Sequence, residues 1–174
     1  MAGQVRLEPL GERHLDGITA LVSDPDVLRF TRVPEPPPPG FPRDWIARYE
    51  PGSHDGTRAG FAAVDERGAF LGVALAPDID VGGREVELGY IVAPAVRGRG
   101  VATAILRELT PWAFAEAGAL RAYLLIDTGN VASQRVAERC GYVLEGVLRS
   151  VHLKQDRRSD QMIWSRLQSD PEPR

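Results

Sequence analysis

The stretch VAPAVRGRGVATAIL, residues 92–106, decides how this chain is read. An apolar strand runs into Pro94, then a glycine-rich turn, then a helix whose apolar residues Val101, Ile105, Leu109 and Trp112 recur at helical spacing. Backbone N–H groups at such a turn, together with the positive end of the following helix, make an anion site. Gly98 and Gly100 have no side chains, so an anion can approach the backbone closely, and Arg97 and Arg99 add positive charge. The ligand implied is a phosphate or pyrophosphate; the plain alternative is a tight turn that only caps a helix. A nucleotide P-loop would end in Gly-Lys-Ser/Thr, where this chain has Val101-Ala102. A dinucleotide fingerprint would need a third glycine, where this chain has Thr103.

Outward from the turn, Glu85 to Val92 (EVELGYIV) reads as the strand that feeds it. GFAAVDERGAFLGVALAPD reads as two strands joined by a turn at Asp65 to Gly68, and Val5 to Leu10 as a short opening strand. His14 to Val22 has helical spacing and is expected to end at Asp24-Pro25. Val33 to Pro42 holds four consecutive prolines and reads as a polyproline-type loop or a disordered linker; Asp44 to Tyr49 is a short helix with Trp45 and Tyr49 on one face. Downstream, Gly100 to about Ala117 is a helix in which Pro111 is expected to cause a kink or shortening. Ala122 to Ile126 is a buried strand, Asn130 to Cys140 a helix ended by Gly141, and Tyr142 to Val151 and Gln161 to Leu167 the last two strands. The order is strand, helices, three strands, helix, strand, helix, two strands: one α/β domain over residues 1–168, with a frayed tail over 169–174.

Composition narrows the function classes. A net charge of −3 argues against a whole-chain nucleic-acid binder. Cys140 is the only cysteine, which excludes an intramolecular disulfide and suits a reducing cytoplasm. MAGQVRLEPL lacks the apolar core of a signal peptide, and no run approaches the roughly 18 apolar residues of a membrane span. His14, His54 and His152 are too scattered to suggest a metal site.

Arg97-Gly98-Arg99-Gly100-Val101-Ala102 matches Arg/Gln-x-x-Gly-x-Gly/Ala, the coenzyme A pyrophosphate signature of the GNAT superfamily of N-acetyltransferases. Asn130-x-x-Ser133, then Ala-Glu-Arg-Cys-Gly-Tyr and Glu-Gly-Val-Leu-Arg, resembles the second half of that superfamily, closest to the branch of bacterial ribosomal-protein N-terminal acetyltransferases. Arg158 to Met162 and the opening Val5-Arg6-Leu7 resemble the same branch. The resemblance covers nearly the whole chain, is strongest from Glu85 to Asp160, and departs at Val33 to Gly40, a region that shapes the acceptor pocket. It implies a mixed, mostly antiparallel sheet of about seven strands, splayed between the fourth and fifth, with helices on both faces. The pantetheine arm of acetyl-CoA fills the splay against backbone groups of Ile91 and Val92.

The resemblance also implies a chemistry. An alkylamine is mostly protonated at pH 7, so a base or a proton-conducting water must help it attack a thioester. Glu85 and Glu87 share one face of the strand; Glu87, a few residues before the pantetheine contacts, is the candidate base, through water, against the reading of both as solvent-facing carboxylates. Ser133 matches the position that protonates the leaving sulfur, with Tyr142 the competing acid. Asn130 matches the residue holding the coenzyme arm and is equally a natural helix cap. Trp45 and Tyr49 either wall the acceptor pocket or pin their helix to the core. Cys140 reads as buried, not nucleophilic. The partners expected are acetyl-CoA and an amine (a protein N-terminus or a small molecule), without nucleic acid, membrane or metal, in a monomer or homodimer. The alternative is a non-catalytic acyl-CoA binder acting as sensor or scaffold.

Overall fold

The computed structural model describes residues 4–50 and 56–173; His54 lies outside them. Seven strands form one sheet: β1 (Arg6–Pro9), β2 (Ala59–Val64), β3 (Phe70–Asp80), β4 (Glu85–Val92), β5 (Arg121–Asp127), β6 (Val143–Lys154) and β7 (Arg157–Leu167). Their order across the sheet is β1-β2-β3-β4-β5-β7-β6. Every neighbouring pair is antiparallel except β4 and β5, which run parallel. The α-helices among the described residues are α1 (Leu15–Val22), α2 (Pro25–Phe30), α3 (Phe41–Tyr49), α4 (Val101–Ala115) and α5 (Val131–Arg139).

Side-chain alternation on the strands divides the interior in two. Val86 and Leu88 of β4 join Ile105, Leu106 and Leu109 of α4 and Val136 of α5 in one core. Ile91, on the opposite face, joins Leu21 of α1, Val27 of α2 and Trp45, Ile46 and Tyr49 of α3 in the other. Helices therefore cover both faces of the sheet. Glu87 alternates with Val86 and Leu88 and so lies on the same face as Ile91, toward α1–α3.

The strand and helix order expected from sequence is the one found, with one element missed. α1 ends before Asp24-Pro25 as expected, and Asp24-Pro25 then starts a further helix, α2. The Asp24 side chain accepts the Val27 N–H at 3.0 Å, and Pro25 takes the first helical position, where its missing N–H costs nothing. An Asp-Pro cap was the available signal. α3 begins earlier than expected, at Phe41, again with a proline in its first turn. α4 carries Pro111 inside it and still runs to Ala115. Past β7, where sequence predicts fraying, Leu167 N–H donates to Asp170 at 2.8 Å and Arg166 pairs with Glu172 at 3.1 Å.

Two backbone features shape the middle of the sheet. Leu75 pairs with Gly89 but Asp78 with Glu87, so Ala76 and Pro77 of β3 together oppose Leu88, a bulge that bends the strand beside Glu87. Gly72 sits at φ +153° opposite Val92, where an added Cβ would lie 2.2 Å from the Ile91 carbonyl oxygen. A side chain there would push β3 off the end of β4. Gly72→Ala is expected to destabilise the fold by about 1–3 kcal/mol, the range for forced overpacking, read as a lowered denaturation midpoint. An unchanged midpoint would mean that β3 and β4 separate freely at this point.

Candidate active site

β4 and β5 pair only at Glu85↔Arg121, Val86↔Ala122 and Glu87↔Tyr123. Beyond Glu87, β4 continues to pair with β3 as far as Val92↔Gly72, and β5 with β7 as far as Asp127↔Gln161, but not with each other. From Leu88 to Val92 the β5-facing backbone groups of β4 thus have no ladder partner. Two cavities open from this splay. One, of about 430 Å³, runs toward α3 and is lined by Trp45, Tyr49, Glu87 and His152. The other, of about 530 Å³, runs toward α4 and α5 and is lined by Val92, Gly98, Gly100, Val101, Ala102 and Arg135. Tyr90, Ile91, Asn130 and Ser133 line both.

The second cavity has the features of an anion cradle. Gly98 and Gly100 adopt φ +74° and +84°, a left-handed backbone that favours glycine, and Gly100 caps α4. The first bond of the helix is Ala104 N–H to Gly100 O, so the N–H groups of Val101, Ala102 and Thr103 have no intrahelical partner. The space beside Gly98 is open. These features fit a pyrophosphate group. Arg97 departs from expectation. Its guanidinium pairs with Asp24 at 2.6 Å and Asp26 at 3.2 Å, and its Nε donates to the Val92 carbonyl at 3.3 Å. That charge holds α2 against the turn; the cradle keeps its backbone dipoles, with Arg135 and Arg139 of α5 on the same cavity wall.

The first cavity holds the titratable groups. The Glu87 side chain is 13% exposed and pairs with Arg32 at 3.0 Å. Burial pushes the Glu87 carboxyl above its ordinary range; Arg32 pulls it down by charge and hydrogen bond, Asp78 pushes it up again, and the net effect is a raised value. Glu85 is occupied elsewhere, paired with Arg121 at 2.8 Å. His152, from β6, is held below its ordinary value by burial and then by Arg32 and Lys154, so it is neutral at pH 7. Lys154 donates to the carbonyls of Leu28 and Thr31 and lies 3.9 Å from Glu35; Gln155 donates to the Glu35 carbonyl. The β6–β7 turn thereby braces the proline-rich segment, of which Val33 is buried and both Val33 and Pro34 face the cavity.

Most residues singled out from sequence converge here. Glu87, Ile91, Asn130 and Ser133 sit at the splay, and Arg97, Gly98, Gly100, Val101 and Ala102 line the α4 cavity. Arg99 lies within the same turn but lines neither cavity. Asn130 caps α5, accepting the Ser133 N–H at 3.2 Å, while facing both cavities. Trp45 and Tyr49 are each buried in the α3 core, and each also lines the first cavity. Tyr142 is not in the site. It is 4% exposed, its hydroxyl shares a 2.8 Å hydrogen bond with Thr110, and it lines neither cavity. Cys140 is buried, with its thiol pushed up by burial. Sequence reasoning missed Tyr90, whose hydroxyl lies 3.4 Å from the Ser133 carbonyl and whose pKa is pushed up to about 12 by burial. It also missed Arg32. Both owe their position to the splay, which no local pattern records. Among the described residues no group of three metal-ligating side chains occurs, and no helix is long and apolar enough to cross a membrane.

Known proteins resemble this arrangement. The family described as an acetyltransferase (GNAT) domain matches residues 4–143. YdaF of Bacillus subtilis (strain 168), named provisionally as a ribosomal N-acetyltransferase, is 31% identical over 127 residues. That match takes in 73% of this chain but spans only 62% of the relative. A spermidine N-acetyltransferase from Vibrio cholerae, solved with CoA and spermine, superposes with a TM-score of 0.83 at 23% identity, covering 95% of this chain and 96% of that one. The ribosomal L7/L12 α-N-protein acetyltransferase RimL, solved with CoA, gives 0.83 at 18% identity with 95% of each chain covered. At those identities the structures speak to the fold, and it is the fold this sequence encodes. The family match extends over the whole stretch from β1 to the start of β6, cradle and splay included, and the chain belongs to the GNAT acetyltransferase family.

Proposed function

We propose that this protein transfers an acetyl group from acetyl-CoA to a primary amine, both substrates being bound together and the amine attacking directly. The observation that carries this reading is the meeting of two cavities at Tyr90, Ile91, Asn130 and Ser133, one beside an anion cradle and one beside a buried carboxylate. Relatives acting on polyamines or named for ribosomal proteins support an amine acceptor, either a protein N-terminus or a small molecule. The lone buried cysteine is compatible with a reducing cytoplasm.

Acetyl-CoA, when bound, supplies an activated acetyl thioester. The unpartnered N–H groups at the start of α4 hold its pyrophosphate, and the free backbone edge of β4 at Ile91 and Val92 takes its pantetheine arm. Glu87 accepts the proton that the amine loses on attack, through a water. Burial raises its pKa toward the operating pH, and Arg32 offsets part of that rise. As the C–S bond breaks, Ser133 or the neighbouring Tyr90 delivers a proton to sulfur; a tyrosine with a pKa of about 12 holds its proton at neutral pH.

Thr103→Glu tests the cradle. An acid in the first turn of α4 favours the helix by about 0.3–1 kcal/mol but places a negative charge where the pyrophosphate must sit. Thermal stability is expected to hold or rise while coenzyme affinity falls at least tenfold. Calorimetry showing undiminished affinity in the folded variant would remove the pyrophosphate from this turn.

Glu87 is tested by pH. Activity should fall as pH drops through the raised Glu87 pKa, because the protonated carboxyl cannot accept a proton. Glu87→Gln should lower kcat ~10²-fold, with partial rescue at high pH where more amine is neutral. Arg32→Gln removes the charge that holds the Glu87 pKa down and should move the acidic limb to higher pH. A limb unmoved in Arg32→Gln and a full rate in Glu87→Gln would assign the proton to another group.

Ser133→Ala and Tyr90→Phe separate the two acids. The true donor's variant loses kcat without high-pH rescue, since sulfur still lacks its proton. If both variants release free thiol at the wild-type rate, neither is the acid. A protein that binds coenzyme and releases no thiol with any amine would be a sensor or scaffold.

A further inference from the structure

The charges around the acceptor cavity bear on what kind of amine enters it. Among the described residues, three guanidinium groups line this cavity, those of Arg32, Arg48 and Arg58, and two carboxylates, those of Glu87 and Asp127. Glu87 is paired with Arg32. Asp127 accepts the Gly129 N–H at 2.8 Å within its own turn. Arg48 and Arg58 make no ion pair among the described residues. Both are exposed at the cavity mouth, and both lie near enough to Tyr49 for their charge to favour its phenolate against the burial that disfavours it. His152 is neutral and Lys154 is engaged with backbone carbonyls and Glu35. Among the described residues of the cavity wall the balance of formal charge is positive, and Arg48, Arg58 and Glu87 all act electrostatically on Tyr49, which places the two arginines on the Glu87 side of the cavity.

A polycation entering this cavity meets Arg48 and Arg58, neither of which has an ion-pair partner among the described residues, and like-charge repulsion disfavours it. An amine joined to a carboxylate or phosphate meets the opposite situation. Its neutral nitrogen can reach the splay while its anion replaces water around an unpaired guanidinium, the geometry arginine suits best. Resting on the transferase reading above, we infer that the acceptor is a primary amine carrying an anionic group a few bonds or residues away, bound through Arg48 and Arg58. Such an anion belongs either to an acidic polypeptide N-terminus or to a small amino acid, and the chemistry of recognition is shared.

The test is a panel of acceptors with acetyl-CoA, scored by thiol release and by product mass. It comprises an alanine-initiated peptide with Asp at positions two and three, the same peptide with Arg there, an ω-amino carboxylate, and spermidine. The acidic peptide or the ω-amino carboxylate is expected to exceed the arginine peptide and spermidine at least tenfold in kcat/KM. Which of the two anionic acceptors leads identifies polypeptide or small molecule. The Arg48→Gln/Arg58→Gln double variant should erase that preference through a rise of about tenfold in KM, and added salt should weaken it in the wild type. Both positions are exposed, so the variant should fold, which circular dichroism and coenzyme binding verify. Spermidine or the arginine peptide acetylated as well as the anionic acceptors, or an undiminished preference in the double variant, overturns the inference while leaving the transferase intact. Thiol release with none of the four amines would bring down both readings.

Discussion

The parting of β4 from β5 after Glu87 is the constraint on which the rest of the site depends. A parallel pair inside a sheet ordinarily keeps its ladder, because a buried backbone group without a partner costs free energy. Here the ladder stops after three residue pairs while each strand goes on pairing with its other neighbour. The strands cannot close again, since β4 is held to β3 as far as Val92 and β5 to β7 as far as Asp127. The bulge at Ala76 and Pro77 bends β3 just where β4 leaves its partner. What remains is a strand edge inside the protein, open to a ligand able to supply the missing hydrogen bonds. The same opening lets side chains from both sheet faces meet: Glu87 comes from the α1–α3 face, Tyr90 from the other.

Arg97 shows how the fold and the site share one residue. The sequence motif marks it as a phosphate cation, yet its guanidinium bridges Asp24 and Asp26 at the start of α2. Burial alone would raise the Asp24 pKa, but the hydrogen bonds from Arg97 and from the Val27 N–H outweigh it and leave the carboxylate below its ordinary range. The turn between β4 and α4 is therefore clamped to α2, which itself forms part of the wall between the two cavities through Phe30. Loss of Arg97 would loosen both walls, so an effect on coenzyme binding at this position need not mean a contact with phosphate.

How far the sequence could be read follows from the range of each signal. Strand alternation, glycine-rich turns and helix caps are local, and they located β4, the turn at Gly98 and Gly100, α4, and the Asn130 cap of α5. Local rules also explain the missed helix: α1 ends before Asp24-Pro25 as read, but the same proline also starts α2, a position where it is tolerated. Tyr90 and Arg32 belong to a different class. Tyr90 on β4 looks like any strand aromatic until β5 is known to turn away. Arg32 sits in an irregular segment 55 residues before Glu87 and meets it only because α2 and the proline-rich segment are held down by Arg97 and by Lys154. Tyr142 lies outside the cavities for the opposite reason: a contact with Thr110 on α4 takes its hydroxyl into the core.

The pair of Glu87 and Arg32 carries the last consequence. A carboxylate buried without a partner would protonate and lose its use as a base; one in a tight, dry ion pair would be too weak a base to take a proton near neutral pH. Arg32 is 55% exposed against 13% for Glu87, so the pair is lopsided: one partner is in water, the other is not. Water screens the attraction from the arginine side, while burial acts on the glutamate alone. The two influences oppose each other, and burial prevails, which leaves an ionisable carboxylate with a proton affinity above that of a free side chain. Arg32 reaches this position from an irregular segment and not from the sheet, so its pairing with Glu87 does not depend on the β4 ladder. Glu87, the base in the function proposed above, is thus held by the strand and tuned by a partner that comes from a different wall of the cavity.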